Sequence, residues 1–398
     1  MAASCVRRAV LCQTLSRYVC SNLIRISAGN RQQSGRPVAG QRWASWEQVS
    51  RHQCIWKNIQ DAQRRRGGGG GGGGRRVLWA AVAAFSLFSG SDEDQRDEAQ
   101  KKEDEMILLL KKAKLSIHRG QLQAASGFLH QAVALAHQTH NHQAIIYSYS
   151  LMANLAYVQG QLNHAEKLFK AAMSFMLSGG TPEDDNAVIE MSLKLATIYA
   201  EQNEAELAER GFRFCTESLE AKLEKQKQLP AEQQTEEQEA LRKDTRLLLG
   251  LCLDSRARYR ASHLHLNQAA QDYQNALNIC RQEQGETHPQ TLVLMSDLAT
   301  ILDLQGHHDD ALVLVQQAVD LSRSAGHPDQ HVLLGNLAGI LLHKGQLEDS
   351  VRFYQEALNL ARQAGDQEAV DQIQEGLKEV KTKKDQETKD EQEKAAQD

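Results

Sequence analysis

Between residues 106 and 364 apolar positions recur at three- and four-residue intervals, the period of helices that bury one face. They do so inside a phrase that returns six times. It reads GQLQAASGFLHQAVALA from Gly120, GQLNHAEKLFKAAMSF from Gly160 and NEAELAERGFRFCTESL from Asn203, then LHLNQAAQDYQNALNI from Leu264, GHHDDALVLVQQAVDL from Gly306 and GQLEDSVRFYQEALNL from Gly345. In each phrase two small residues stand seven apart: Ala125/Ala132, Ala165/Ala172, Ala208/Cys215, Ala269/Ala276, Ala311/Ala318 and Ser350/Ala357. Seven residues are two helical turns, so both lie on one face and let a neighbouring helix come close. Three residues before the second small one stands a larger side chain suited to fill the space between helices: Leu129, Phe169, Phe212, Tyr273, Val315 and Tyr354.

Another apolar helix precedes each phrase. Its small residues are Ala113, Ala153, Ala196, Ala299 and Ala338, flanked by Leu109, Met152, Leu195, Leu298 and Leu337. The glycine that opens most phrases marks where this first helix must stop in left-handed backbone. The unit is helix, tight turn, helix, near 106–139, 146–179, 189–222, 240–283, 292–325 and 331–364. The expected fold is all-α, a right-handed α-solenoid of about six helical hairpins. Val370, Ile373, Leu377 and Val380 predict a capping helix over 365–380. Residues 381–398 form a charged tail without an apolar stripe, expected to fray or stay disordered.

The last small residue recurs at intervals of 40, 43, 61, 42 and 39. This pattern resembles the tetratricopeptide repeat, whose ordinary period is about 34. The longer spacing, with GETHPQT from Gly285, resembles the kinesin-light-chain style of that family. The interval of 61 contains KLEKQKQLPAEQQTEEQEAL, which reads as an extended helix, a break at Pro230 and a lengthened first helix in the fourth hairpin. That hairpin has Leu264 where the turn glycine belongs. The resemblance implies a protein-binding scaffold, not an enzyme, with a groove lined by first helices. Mapped onto this sequence, its inward positions are Lys114, Tyr147, Asn154, Lys194, Asp297 and Asn336. Family members that clamp a free carboxylate terminus pair Asn with Lys or Arg there. This chain has Leu110 with Lys114 and Leu151 with Asn154, a departure from that clamp.

Only five of the 398 residues are Pro and 5% are aromatic, which excludes an all-β protein. The net charge of −5 hides two opposite parts. Residues 1–90 carry thirteen Arg and one Lys against Glu47 and Asp61, a net of +12, and the remainder carries −17. An acidic body repels phosphate, so nucleic-acid binding is not expected. Residues 1–66, rich in Arg and Ser and free of acids before Glu47, read as a disordered mitochondrial presequence. A glycine spacer covers 67–76; without a following Gly-Lys-Ser/Thr it is no phosphate loop. Residues 77–90 begin VLWAAVAAFSLF and read as an apolar membrane anchor or sorting segment, followed by a charged linker over 91–105. Twelve helical residues rise about 18 Å against a hydrocarbon core of about 30 Å, so the segment is short for a span. Arg75 and Arg76 before it, with Asp92, Glu93 and Asp94 after it, place the body in the intermembrane space by the positive-inside rule. The alternative is removal with the presequence, leaving a matrix protein.

Taken whole, this architecture resembles a mitochondrial branch of the repeat family. That implies an inner-membrane protein serving assembly and upkeep of respiratory complex III, near the Rieske iron–sulfur subunit. A soluble matrix adaptor or chaperone is the second reading, and a cytosolic motor-cargo adaptor the third. No cofactor or small-molecule substrate is expected. Cys215, Cys252 and Cys280 lack metal or disulfide spacing and read as small core residues. His137, His140, His142, His263, His265, His307, His308, His327 and His331 fall at or near turns and read as solvated. Asp184/Asp185 and Asp309/Asp310 read as helix starts, where acids favour the dipole. No zinc-protease, serine-hydrolase or Walker motif occurs.

Overall fold

The computed structural model describes residues 98–227 and 235–395, which form thirteen helices and, among these residues, no strand. The presequence, the glycine spacer, the apolar segment and the Pro230 break lie outside the described residues. The helices are α1 (Glu98–His118), α2 (Leu122–Gln138), α3 (His142–Val158), α4 (Leu162–Ser178), α5 (Asn186–Glu201), α6 (Ala205–Lys227) and α7 (Glu236–Ser262), followed by α8 (Leu266–Gln284), α9 (Pro289–Leu304), α10 (His308–Ala325), α11 (Gln330–His343), α12 (Leu347–Ala364) and α13 (Gln367–Ala395). The all-α class of six hairpins with a C-terminal helix is the one the repeat pattern predicts. Of the described residues, 98–157 and Asn163–Pro182 form one compact unit, and Val158–Leu162 with those from Glu183 onward form the other.

In the first unit α1 packs against α2, with Ala113, Ala125, Leu129 and Ala132 sealed between helices. Ala153, Ala165, Phe169 and Ala172 are as deeply buried. His137 on α2, Tyr149 on α3 and Phe175 on α4 meet at the surface: Tyr149 stacks on Phe175 with ring centres 6.0 Å apart, and its hydroxyl lies 3.1 Å from His137 Nε2.

In the second unit the pairs are α5–α6, α7–α8, α9–α10 and α11–α12; each second helix packs on the next first helix, and α13 covers α12 and α11. The small-residue pairs sit at the crossings, fully buried, and Phe212, Tyr273, Val315 and Tyr354 fill the gaps beside them. Backbone distance is set here by side-chain size. Gly211 of α6 passes so near α5 that a methyl group on it would lie 2.7 Å from the Ala196 Cβ.

Every turn inside a hairpin uses left-handed backbone: φ is 70° at Gly120, 71° at Gly160, 61° at Asn203, 61° at Leu264, 84° at Gly306 and 84° at Gly345. At Leu264 its own N–H donates to the Ala261 carbonyl and the next N–H to that of Arg260, the two-bond closure of a Schellman motif. The interval of 61 is taken up by α6 and α7, with 23 and 27 residues. Thr235 caps α7, accepting from the Gln238 N–H while the Gln238 side chain accepts from the Thr235 N–H. Asp185 caps α5, and Asp309 and Asp310 lie in the first turn of α10.

Two expectations need correction. The charged tail is helical as far as Ala395. It extends a helix already docked through Val370, Ile373 and Val380, in a stretch of strong helix formers without Gly or Pro after Gly376. Lys383 Nζ donates to the Leu342 carbonyl at 2.9 Å, and Lys384 pairs with Glu348 at 2.5 Å. His331, read as a solvated loop residue, is 2% exposed at the start of α11, with Nε2 3.3 Å from Asp366. His308 and His343 likewise bond the buried Asp303, at 2.7 and 2.5 Å.

Crossing distance yields a paired test. Gly211→Ala should cost about 1–3 kcal/mol from overpacking, more than the roughly 1 kcal/mol that alanine's helix propensity returns. Gly127 of α2 has open space around it, so Gly127→Ala should stabilise by roughly 0.5–1 kcal/mol. Denaturant midpoints measure both; a Gly211→Ala midpoint at or above the parent's would refute the close crossing.

Candidate protein-binding face

The first helices α3, α5, α9 and α11 bury most of their residues and leave a narrow, half-buried stripe, and the second half of α7 has the same pattern. In the second unit the stripe carries Glu190, Lys194 and Thr197 on α5, and Leu251, Ser255 and Arg258 on α7. It continues with Val293, Asp297 and Thr300 on α9, and Val332 and Asn336 on α11. These helices adjoin: α5 packs on α7 and α9 on α11. Gln290 of α9 reaches Asp254 of α7 at 3.3 Å, and Asn336 Nδ2 donates to Ser296 Oγ at 2.7 Å. The stripes therefore form a laddered polar surface, tied by side-chain bonds between successive first helices. Of the residues expected to face inward, Lys194, Asp297 and Asn336 fall on it.

In the first unit Lys114 and Asn154 are half-buried on α1 and α3. Tyr147 is 1% exposed and is no surface residue. The α3 sequence HQAIIYSYSLMANLAYV is apolar nearly all round, so the phase of its stripe is hard to read, and Tyr147 falls inside it.

Electrostatics distinguish the stripe of the second unit. Burial lowers the Lys194 ammonium from its ordinary range, with Glu190, 3.9 Å away, opposing the shift. Arg258 Nε donates to Asp254 Oδ1 at 2.9 Å, and a terminal nitrogen of the same guanidinium closes on Oδ2. Burial alone would lower Arg258; the Asp254 carboxylate more than offsets it, and the guanidinium is held above its usual range. Burial raises the Asp297 carboxyl to about 7, with Arg258 opposing and Asp254 adding to the rise. Asp254 and Arg258 were not among the residues mapped from the sequence. Their hairpin lacks the turn glycine and follows the interval of 61, which blurs the register. Their signal is an acid and an arginine four apart inside an apolar run. Among the described residues no group of three or more His, Cys, Asp or Glu could hold a metal ion. No described helix is long and apolar enough to cross a membrane.

The tetratricopeptide repeat family profiles match residues 266–324 and 332–364. The chain is 73% identical over 270 residues to "Tetratricopeptide repeat protein 19, mitochondrial" of Danio rerio, covering 68% of this chain and 66% of that one. The Rattus norvegicus protein of the same name is 54% identical over 213 residues, covering 54% of this chain and 57% of that one. The matched stretches thus span just under two thirds and just over half of those relatives. Among solved structures, the apo form of RapI superposes with a TM-score of 0.52 at 10% identity, covering 68% of each chain, a likeness of fold alone.

The Asp297 shift gives a pH dependence. An ordinary Asp titrates near pH 4, so the folded chain holds this proton more tightly than the unfolded chain does. The resulting stability is complete below about pH 4 and is lost as pH rises through about 7. Thermal midpoints at about pH 5 and about pH 8 should fall further apart in the parent than in Asp297→Asn. Parallel losses would show that Asp297 titrates normally.

Proposed function

The chain belongs to the tetratricopeptide repeat family, and we propose that it is a non-enzymatic scaffold of the mitochondrial inner membrane. In this reading it serves the assembly and maintenance of respiratory complex III, at the step involving the Rieske iron–sulfur subunit. It holds protein segments along the stripes of its first helices. The laddered polar surface carries the reading: half-buried side chains held by neighbours lose little freedom when a peptide lies across them, so a few contacts suffice. The arginine-rich head and the relatives' mitochondrial names support the compartment. The flanks of residues 77–90 favour a body in the intermembrane space.

Ser255 lies in the middle of the second unit's surface, half-buried. In the full chain, Ser255→Trp should block the surface without touching the buried crossings. Complex III subunits should co-purify with the parent from detergent-solubilised mitochondria and be lost from the variant at unchanged helical content. A folded variant that still retains complex III would move the binding site off this face. Protease added to mitoplasts with a sealed inner membrane should digest the repeat domain; protection alongside a matrix control would favour the matrix adaptor.

A further inference from the structure

The surface of the second unit holds one more carboxylate than it has cation to match. Asp254, 1% exposed, is engaged by Arg258 at two points and by Gln290. That guanidinium is spent on its partner four residues away. Asp297, one helix further along, feels the fields of Arg258 and Asp254, yet among the described residues its carboxylate takes part in no hydrogen bond or ion pair. It is half-buried in mid-stripe, between Val293 and Thr300, which bring no charge. With Asp297 ionised, two carboxylates face one guanidinium, and the local charge is −1. A partly desolvated carboxylate without a partner is unfavourable, and a cation brought to it recovers that cost in a charge-assisted bond. A second anion there would meet two carboxylates, and a neutral group would gain nothing, so the place discriminates by charge.

We infer that this part of the face receives a lysine or arginine side chain of an extended protein segment, with Asp297 as its acceptor. Charge complementarity singles out this occupant. The inference rests on the reading of the stripes as a protein-binding face and adds the chemistry of what binds. Asp297 is thereby a specificity residue, while the Arg258 guanidinium is bonded at two points to Asp254. The titratable and charged groups that face Asp297 are Asp254 and Arg258 of α7 and the buried Tyr273 of α8, whose phenol burial pushes up and keeps neutral. Binding a cation favours the ionised Asp297, so association should strengthen as pH rises through about 7.

Fluorescence anisotropy on the full chain tests this with two labelled peptides, one alternating Ala and Lys and the other Ala and Glu. Near neutral pH and at low salt the Lys peptide should bind and the Glu peptide should not. Losing one charged hydrogen bond should weaken the Lys peptide about tenfold in Asp297→Asn. Asp297→Glu should restore most of the affinity, and Asp320→Asn, an exposed acid on the outer helix α10, should leave it unchanged. Helical content and thermal midpoints confirm that each variant folds. Equal binding by the parent and Asp297→Asn would overturn the inference, as would equal weakening by Asp320→Asn, which marks attraction to overall acidity. Should Ser255→Trp abolish Lys-peptide binding while Asp297→Asn does not, the face stands as a binding site and its charge preference falls. Should Ser255→Trp spare the peptide while Asp297→Asn removes it, the protein-binding reading of the whole face falls, and only a local contact at Asp297 remains.

Discussion

How closely two helix backbones can pass is the constraint on which this chain is built. Ala, Cys, Ser and Gly stand at the crossings, seven residues apart, because nothing larger fits. Once that spacing is fixed, much else follows. The aromatic or branched residue three positions before the second small one has a single gap to fill. The turn has one length and must reverse through left-handed backbone. The remaining face of α5, α9 and α11 is left narrow and largely polar. A binding surface thus arises as the residue of packing: it is the part of the helix that the crossings do not consume.

Small side chains announce themselves in a sequence, and that is why the hairpins were legible there. A seven-residue interval between small residues has few other causes when it recurs six times, and a glycine ahead of four of the six pairs marks the turn. The face was harder to read. Lys194, Asp297 and Asn336 each fall at a half-buried position of a largely apolar helix. Tyr147 lies on a helix apolar almost all round, where one residue of phase decides between core and surface. Asp254 and Arg258 escaped for another reason. Their meaning lies in a bond between them and in a carboxylate on the next helix, and neither relation is a periodicity.

Polar groups are placed with as much economy as apolar ones. Arg256 grips Asp272 at two points and reaches Thr216, while Arg260 joins the same Asp272 to Glu209, so that α6, α7 and α8 share one partly buried network. Asp303 is held by His308 from α10 and His343 from α11. Each network lies where helices from different hairpins meet, and each leaves its acid satisfied. Asp297 stands apart because its surroundings do not complete it. A carboxylate left in this state on a half-buried face is where binding chemistry is to be sought.

Leu264 shows what the long fourth hairpin tolerates. A side chain at φ 61° costs roughly 1–2 kcal/mol relative to right-handed backbone, in a column otherwise filled by Gly and Asn. The longest first helix and its deep arginine network absorb that penalty, but they do so at a distance from the bend. In a stack whose stability adds up from one neighbour to the next, such a hairpin concentrates local opening at its own hinge. Local opening of the second unit is therefore expected first at the tip of α7 and α8, where amide hydrogens should exchange with solvent sooner than those of the alanine crossings behind them.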